Sequence, residues 1–99
     1  METEPYRLVA PDFTDSEGRA LSLVAVFLES HHGSPASCGE FWNYLRDHHG
    51  FHCVSADGKR VVRSLETDSQ GTRFARVILN HSVAKGVGRK LPDEDMWEL

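Results

Sequence analysis

The sequence predicts a single α+β domain in which two N-terminal helices are followed by a third helix and/or a small antiparallel β-hairpin or meander. The first observation behind this prediction is the length of 99 residues, which is close to the commonest domain size. The second is that apolar residues recur at helical spacing before Gly50. The third is a pair of turn sequences, at residues 56–59 and 68–71, which separate stretches rich in β-branched residues.

The two ends of the chain are expected to differ from the body between them. Residues 1–14 are expected to form an extended arm, because Pro5 and Pro11 interrupt helices. Residues 92–99, PDEDMWEL, are expected to form an acidic tail that is either frayed or packed back on the body through Trp97. The domain therefore spans residues 1–99 and carries an arm and a tail.

The first helix is predicted from about Arg19 to Ser30, with Ser16 or Asp15 capping its N-terminus. A stripe of apolar residues at helical spacing runs along it: Leu21, Val24, Ala25 and Leu28. Because Val26 and Phe27 widen this stripe, the helix is expected to lie at the centre of the core. Gly33 is expected to end the helix region.

The second helix is predicted from Pro35 or Ser37 to His48. Ser37 and Glu40 have the spacing of a capping box, and Gly50 is a typical helix stop. The apolar stripe of this helix is largely aromatic and is expected to pack in the core: Phe41, Trp42, Tyr44, Leu45 and His48.

Residues 54–67, VSADGKRVVRSLET, are compatible with two structures. As a helix they would begin at the N-cap Ser55 and align three cations along one face. These cations are Lys59, Arg60 and Arg63. As strands they would form a hairpin around the tight turn Asp57-Gly58, and the cations would be dispersed around the bend.

The segment after residue 71 also has two interpretations. Residues 72–85 are expected to form either a further helix or the strand of a wing. The stretch TRFARVIL, residues 72–79, is rich enough in β-branched and aromatic residues to favour at least one strand.

The combined stretch ALSLVAVFLES…SCGEFWNYLRDHHGFHCVSADGKRVVRSLE resembles the core of a winged helix-turn-helix domain. In this resemblance Val54-Ser55 begins the recognition helix, and Val61, Val62 and Leu65 form its apolar side. The apolar residue after "VS" comes later than in compact helix-turn-helix units. The resemblance implies DNA binding, with the third helix in the major groove and a β-wing against the backbone.

The resemblance assigns nucleic-acid contacts to five cations. Lys59, Arg60 and Arg63 would face the nucleic acid from the helix, where Arg recognises guanine and Lys neutralises phosphate. Arg73 and Arg76 would contact the backbone from the wing. The predicted function is therefore that of a small regulatory protein that binds DNA or RNA.

The charge distribution bears on this prediction in two ways. A net charge of −4 counts against broad, salt-driven binding to phosphate backbones. The acidic residues, however, crowd the two ends of the chain. The segment from Lys59 to Lys90 contains only Glu66 and Asp68 as acids, so a locally basic face is compatible with the sequence.

The alternative prediction is a protein-interaction or inhibitory module without catalysis. It rests on the acidic termini, which would steer binding to a cationic partner, and on an aromatic surface around Trp97. A homodimer that covers the apolar first helix is a further alternative.

No catalytic, cofactor or metal site is predicted. Cys53 follows His52, but adjacent residues on a strand point to opposite faces. The spacing of His48, His52 and Cys53 fits no standard zinc pattern. Histidines at helix ends, such as His49, are instead expected to complement the carbonyl end of a helix as partial positive charges.

The composition predicts a cytoplasmic protein without a membrane segment. The longest apolar run, LVAVFL at residues 23–28, is far short of the ~20 residues that span a bilayer. The acidic opening METEPYRLVAPD does not have the pattern of a signal peptide. In the cytoplasm, Cys38 and Cys53 are expected to be reduced thiols.

Overall fold

The computed structural model describes residues 6–11 and 17–99. Within these ranges the elements are β1 (Tyr6–Val9), α1 (Glu17–Glu29), β2 (Ala36–Ser37), α2 (Cys38–His49), β3 (His52–Ser55), β4 (Val61–Val62), α3 (Leu65–Ala84), β5 (Arg89–Lys90) and β6 (Met96–Glu98). The predicted α+β class is confirmed, although a strand precedes the first helix. None of the described helices is long and apolar enough to cross a membrane.

The described strands form two antiparallel sheets of three strands each, in the orders β1-β3-β4 and β2-β6-β5. In the first sheet Arg7 lies opposite Val54, and Cys53 lies opposite Val62. In the second sheet Ala36 lies opposite Trp97. Part of the predicted arm is therefore an edge strand, and the predicted tail supplies a middle strand. The predicted caps at residues 15 and 16 lie outside the described residues.

Helix α2 has the boundaries that its cap residues predict. The Ser37 side chain accepts a hydrogen bond from the Glu40 amide, and the Glu40 carboxylate accepts one from the Ser37 amide. Gly50 takes the left-handed conformation, and its amide donates to the Leu45 carbonyl. The predicted capping box and glycine stop are both confirmed, because each depends on contacts within a few residues.

The core lies between the three helices and the second sheet. Helix α1 buries Val24, Phe27 and Leu28 in this core, but Val26, which was predicted to widen the apolar stripe, is 52% exposed. Most of the predicted aromatic stripe of α2 is also buried, but His48 is exposed. The largest side chains that are completely or almost completely buried come from all parts of the core: Trp97, Phe41, Phe51, Leu28, Leu45 and Leu79.

Residues 54–67 do not form one helix, so the helical interpretation of this segment is wrong. The chain turns back between β3 and β4, and Gly58 at this turn has φ +73°. The Asp57 carboxylate accepts hydrogen bonds from the Ser55 hydroxyl and the Lys59 amide. These contacts stabilise the turn and compete with helix formation. A second capping box, at Ser64 and Thr67, then begins α3.

The strand predicted within residues 72–79 is also wrong, because this stretch lies in the middle of α3. Ala75, Ile78 and Leu79 recur at helical spacing and are buried against the other helices. Burial of this stripe outweighs the β-propensity of the local sequence, which is a small effect that depends on context.

Candidate functional site

The five cations predicted to contact nucleic acid do not share one element. Lys59 and Arg60 lie in the turn between β3 and β4, and Arg63 follows β4. Arg73 and Arg76 lie on α3. The predicted row of cations along one recognition helix at residues 55–67 is therefore wrong, since the hairpin separates its members.

The hairpin turn brings in a cation that sequence reasoning missed. Arg7 lies on β1, and its guanidinium lies so close to the turn that a Cβ atom at Gly58 would be 2.7 Å from Arg7 Nη2. Arg7, Lys59 and Arg60 thus cluster at one end of the first sheet, and we call these three residues the basic tip. No local pattern identifies Arg7, because strand pairing alone brings it to the hairpin.

Asp57 places one carboxylate beside the basic tip. The hydrogen bond from the Ser55 hydroxyl holds the pKa of Asp57 below its usual value, with further help from the Lys59 amide. The carboxylate is therefore ionised and held in the turn. The positive charge of Arg60 also acts on this carboxylate and lowers its pKa further, so Asp57 belongs electrostatically to the basic tip.

Several other arginines are neutralised by carboxylates. Arg76 donates to Asp95 Oδ2 at 2.6 Å, and this bond raises the pKa of Arg76 and lowers that of Asp95. Arg89 pairs with Glu98 at 2.6 Å. The predicted contact of Arg76 with the nucleic-acid backbone therefore competes with an existing ion pair.

Arg73 differs from Arg76 in this respect. It is exposed, and within residues 6–11 and 17–99 it pairs with no carboxylate. Ser69 and Asn80 lie on the same outward side of α3, at helical spacing from Arg73. These three side chains have the hydrogen-bonding chemistry that reads bases, but they provide a single positive charge.

A cavity of about 330 Å³ lies between α2, the β3–β4 hairpin and the first turn of α3. Trp42, Phe51 and Val62 supply apolar walls, and Arg63 also lines it. Its members come from three separate parts of the chain, so the sequence did not reveal it.

His49 is not the positive helix-end charge that the sequence predicts. Desolvation lowers its pKa, and the nearby positive charges of Arg19 and His48 lower it further. Its Nε2 atom is buried without a hydrogen-bond partner among the described residues. Within residues 6–11 and 17–99, no three His, Cys, Asp or Glu side chains converge as a metal site requires.

We expect the stability of the protein to fall on acidification because of His49. Its pKa is lower in the folded state than in the unfolded state, so the unfolded state takes up the proton first. The stabilising contribution is present above the ordinary value of 6.5 and is lost as the pH falls through the folded value. Urea unfolding at about pH 7 and about pH 5 measures the loss. His49→Phe, which keeps a ring against Tyr44, is expected to reduce it, and an unchanged pH dependence would contradict this assignment.

The C-terminal residues do not form the aromatic surface around Trp97 on which the predicted interaction module depends. Trp97 is 0% exposed and belongs to the hydrophobic core, so it is not available to a partner. Both cysteines are free thiols, as the sequence predicts, and both are buried.

No protein-family model matches the chain, and neither a curated protein nor a solved structure matches it.

Proposed function

We propose that the protein is a small cytoplasmic regulatory protein that binds nucleic acid, with DNA as the first candidate, through the basic tip. The observation that carries the proposal is the convergence of Arg7, Lys59 and Arg60 at one end of a sheet. Arg63 follows the same hairpin and adds a further cation. Exposed cations on a projecting turn are suited to contact phosphates.

This geometry favours phosphate contacts over base reading. The cations lie around the bend of a hairpin, where they can contact the phosphates of a nucleic acid. They are not aligned along a recognition helix that could enter the major groove. The net charge of −4 opposes binding at long range. We therefore expect weak affinity that falls steeply as salt is added, with a slope of about −3 for three phosphate contacts on B-DNA.

The second candidate is the winged-helix mode, in which α3 reads the major groove. Three helices followed by the β5–β6 hairpin support it, and so does Arg73, which has no carboxylate partner in the described part of the chain. Two features depart from it. Strand β1 precedes the first helix, and the loop after Lys90 carries the acids Asp93 and Glu94, which repel phosphate.

Fluorescence anisotropy with a labelled duplex at low salt tests the proposal. The double variant Lys59→Ala/Arg60→Ala is expected to weaken binding about tenfold and to reduce the salt slope by about 2, because two phosphate contacts are lost. The same measurement with a labelled single strand shows which nucleic acid is preferred. Absence of binding to both at low salt would refute the proposed function.

Arg73→Ala is the matched control, since it removes an exposed positive charge from a different element. If the basic tip binds the phosphates, this variant is expected to change the affinity less than about twofold. A loss in Arg73→Ala that exceeds the loss in the double variant would favour the winged-helix mode and contradict the role of the tip.

A further inference from the structure

The cavity beside β4 has the size and the walls of a small-molecule site. Its volume of about 330 Å³ is at the lower end of the range that such sites occupy, ~300–1,000 Å³. Trp42 and Phe51, which line it, are 3% and 1% exposed, and Val62 is half-buried. The cavity is therefore an apolar recess that a ligand body would fill.

The Trp42 wall is held in place from two sides. Its indole N–H donates to Asp68 Oδ1 at 3.5 Å, and Arg46 donates to the same oxygen at 3.3 Å. On α3, Gly71 lies so close to the ring that an added Cβ atom would be 2.1 Å from Trp42 Cε2. A wall that is already ordered lowers the entropic cost of binding a ligand.

Arg63 gives the recess an unneutralised positive charge. It lines the cavity, and across residues 6–11 and 17–99 its guanidinium pairs with no carboxylate. Arg46, which also lines the cavity, is already paired with Asp68 and Asp47. Because a guanidinium presents parallel N–H groups that match a carboxylate, Arg63 favours an anionic ligand group of this shape.

Two further polar groups of the recess, the Cys53 thiol and the Thr67 hydroxyl, offer little to a polar ligand body. Burial raises the pKa of the Cys53 thiol, and the Asp68 charge adds to this effect, so the thiol stays neutral. The Thr67 hydroxyl already donates to the Ser64 carbonyl and accepts from the Ser64 amide. A nucleobase would bury several polar edges against such walls without partners, which is unfavourable.

We propose that this recess binds a small carboxylate with an aromatic or branched aliphatic body. The body packs between Trp42, Phe51 and Val62, and the carboxylate accepts hydrogen bonds from the Arg63 guanidinium. Ligand binding at this site is measured without nucleic acid, so its result is separate from the test of the function proposed for the basic tip.

A titration of the full chain with 3-phenylpropionate, followed through backbone amide chemical shifts, tests the proposal. Saturable shifts are expected at the residues that line the cavity, with a dissociation constant of about 1 mM or tighter. The alcohol 3-phenylpropan-1-ol has the same body without the charge and is expected to bind about tenfold more weakly. Propionate, which lacks the aromatic body, is expected to show no saturation over the same range.

Arg63→Ala is expected to weaken 3-phenylpropionate binding about tenfold, to the level of the alcohol. Lys59→Ala is the matched control, because it removes a cation from the same hairpin outside the cavity lining, and it is expected to leave the affinity unchanged. Equal binding of the acid and the alcohol, or equal losses in the two variants, would overturn the proposal. Absence of saturable shifts up to about 10 mM would also overturn it.

Discussion

Replacing Trp97 with alanine is expected to lower the free energy of unfolding by about 4 kcal/mol. The side chain is completely buried, and its strand β6 is the middle strand of the second sheet. Truncation leaves a large cavity that the paired strands and the adjacent helices fill only in part. Urea unfolding followed by circular dichroism measures the loss. A cost below about 1 kcal/mol would mean that Trp97 is a surface residue, as the interaction module requires.

The Trp97→Phe variant distinguishes the packing of the aromatic ring from the effect of the indole N–H group. No hydrogen-bond acceptor within the described ranges reaches the buried Nε1 atom of Trp97, so its N–H remains unpaired. Phenylalanine loses some volume but also removes this unpaired donor, whose burial costs about 1–3 kcal/mol. We therefore expect a cost below about 2 kcal/mol for this variant. A loss as large as that of the alanine variant would contradict the unpaired state of the donor.

Gly71→Ala is expected to destabilise the protein by about 2 kcal/mol or more, although alanine is the better helix former. The helix propensity of alanine favours the change by about 1 kcal/mol. Against this, the new Cβ atom would lie 2.1 Å from Trp42 Cε2, far inside van der Waals contact. Trp42 is 3% exposed and its indole N–H is bonded to Asp68, so steric overlap between α2 and α3 outweighs the propensity gain.

Gly39→Ala is the matched control for this prediction, because it makes the same change in the neighbouring helix α2. The nearest atom to a Cβ at Gly39 is Ser37 Oγ at 3.8 Å, which is an ordinary contact. This variant is expected to keep or slightly raise the unfolding midpoint in urea. A Gly71→Ala variant as stable as Gly39→Ala would contradict the close packing of α2 on α3.

Helix α2 shows which part of the fold the sequence predicts well. Ser37, Glu40 and Gly50 define both of its ends, and each acts on backbone groups at most five positions away. The hydrogen bonds of the turn at Asp57-Gly58 have the same short range, since they join Asp57 to Ser55 and Lys59, although the sequence left this segment open between a helix and a hairpin. Interactions of this range are visible in a short stretch of sequence.

Helix α3 shows where local sequence fails. The β-branched residues of residues 72–79 indicate a strand, but the same stretch places Ala75, Ile78 and Leu79 on one buried side of a helix. The capping box at Ser64 lies several residues before this stretch. The choice therefore depends on burial against α1 and α2, which a β-propensity scale does not include.

The sequence left residues 54–67 open between a helix and a hairpin, but by itself it determined the α+β class and both ends of α2. Each of these depends on interactions between residues that lie close together in the chain. Only the tertiary structure decided that Arg7 lies beside Gly58 and that Arg76 is neutralised by Asp95. These contacts join residues that are far apart in sequence, and they exist because strand pairing and helix packing bring them together. The candidate sites therefore depend on packing, which local propensities and turn signals do not encode.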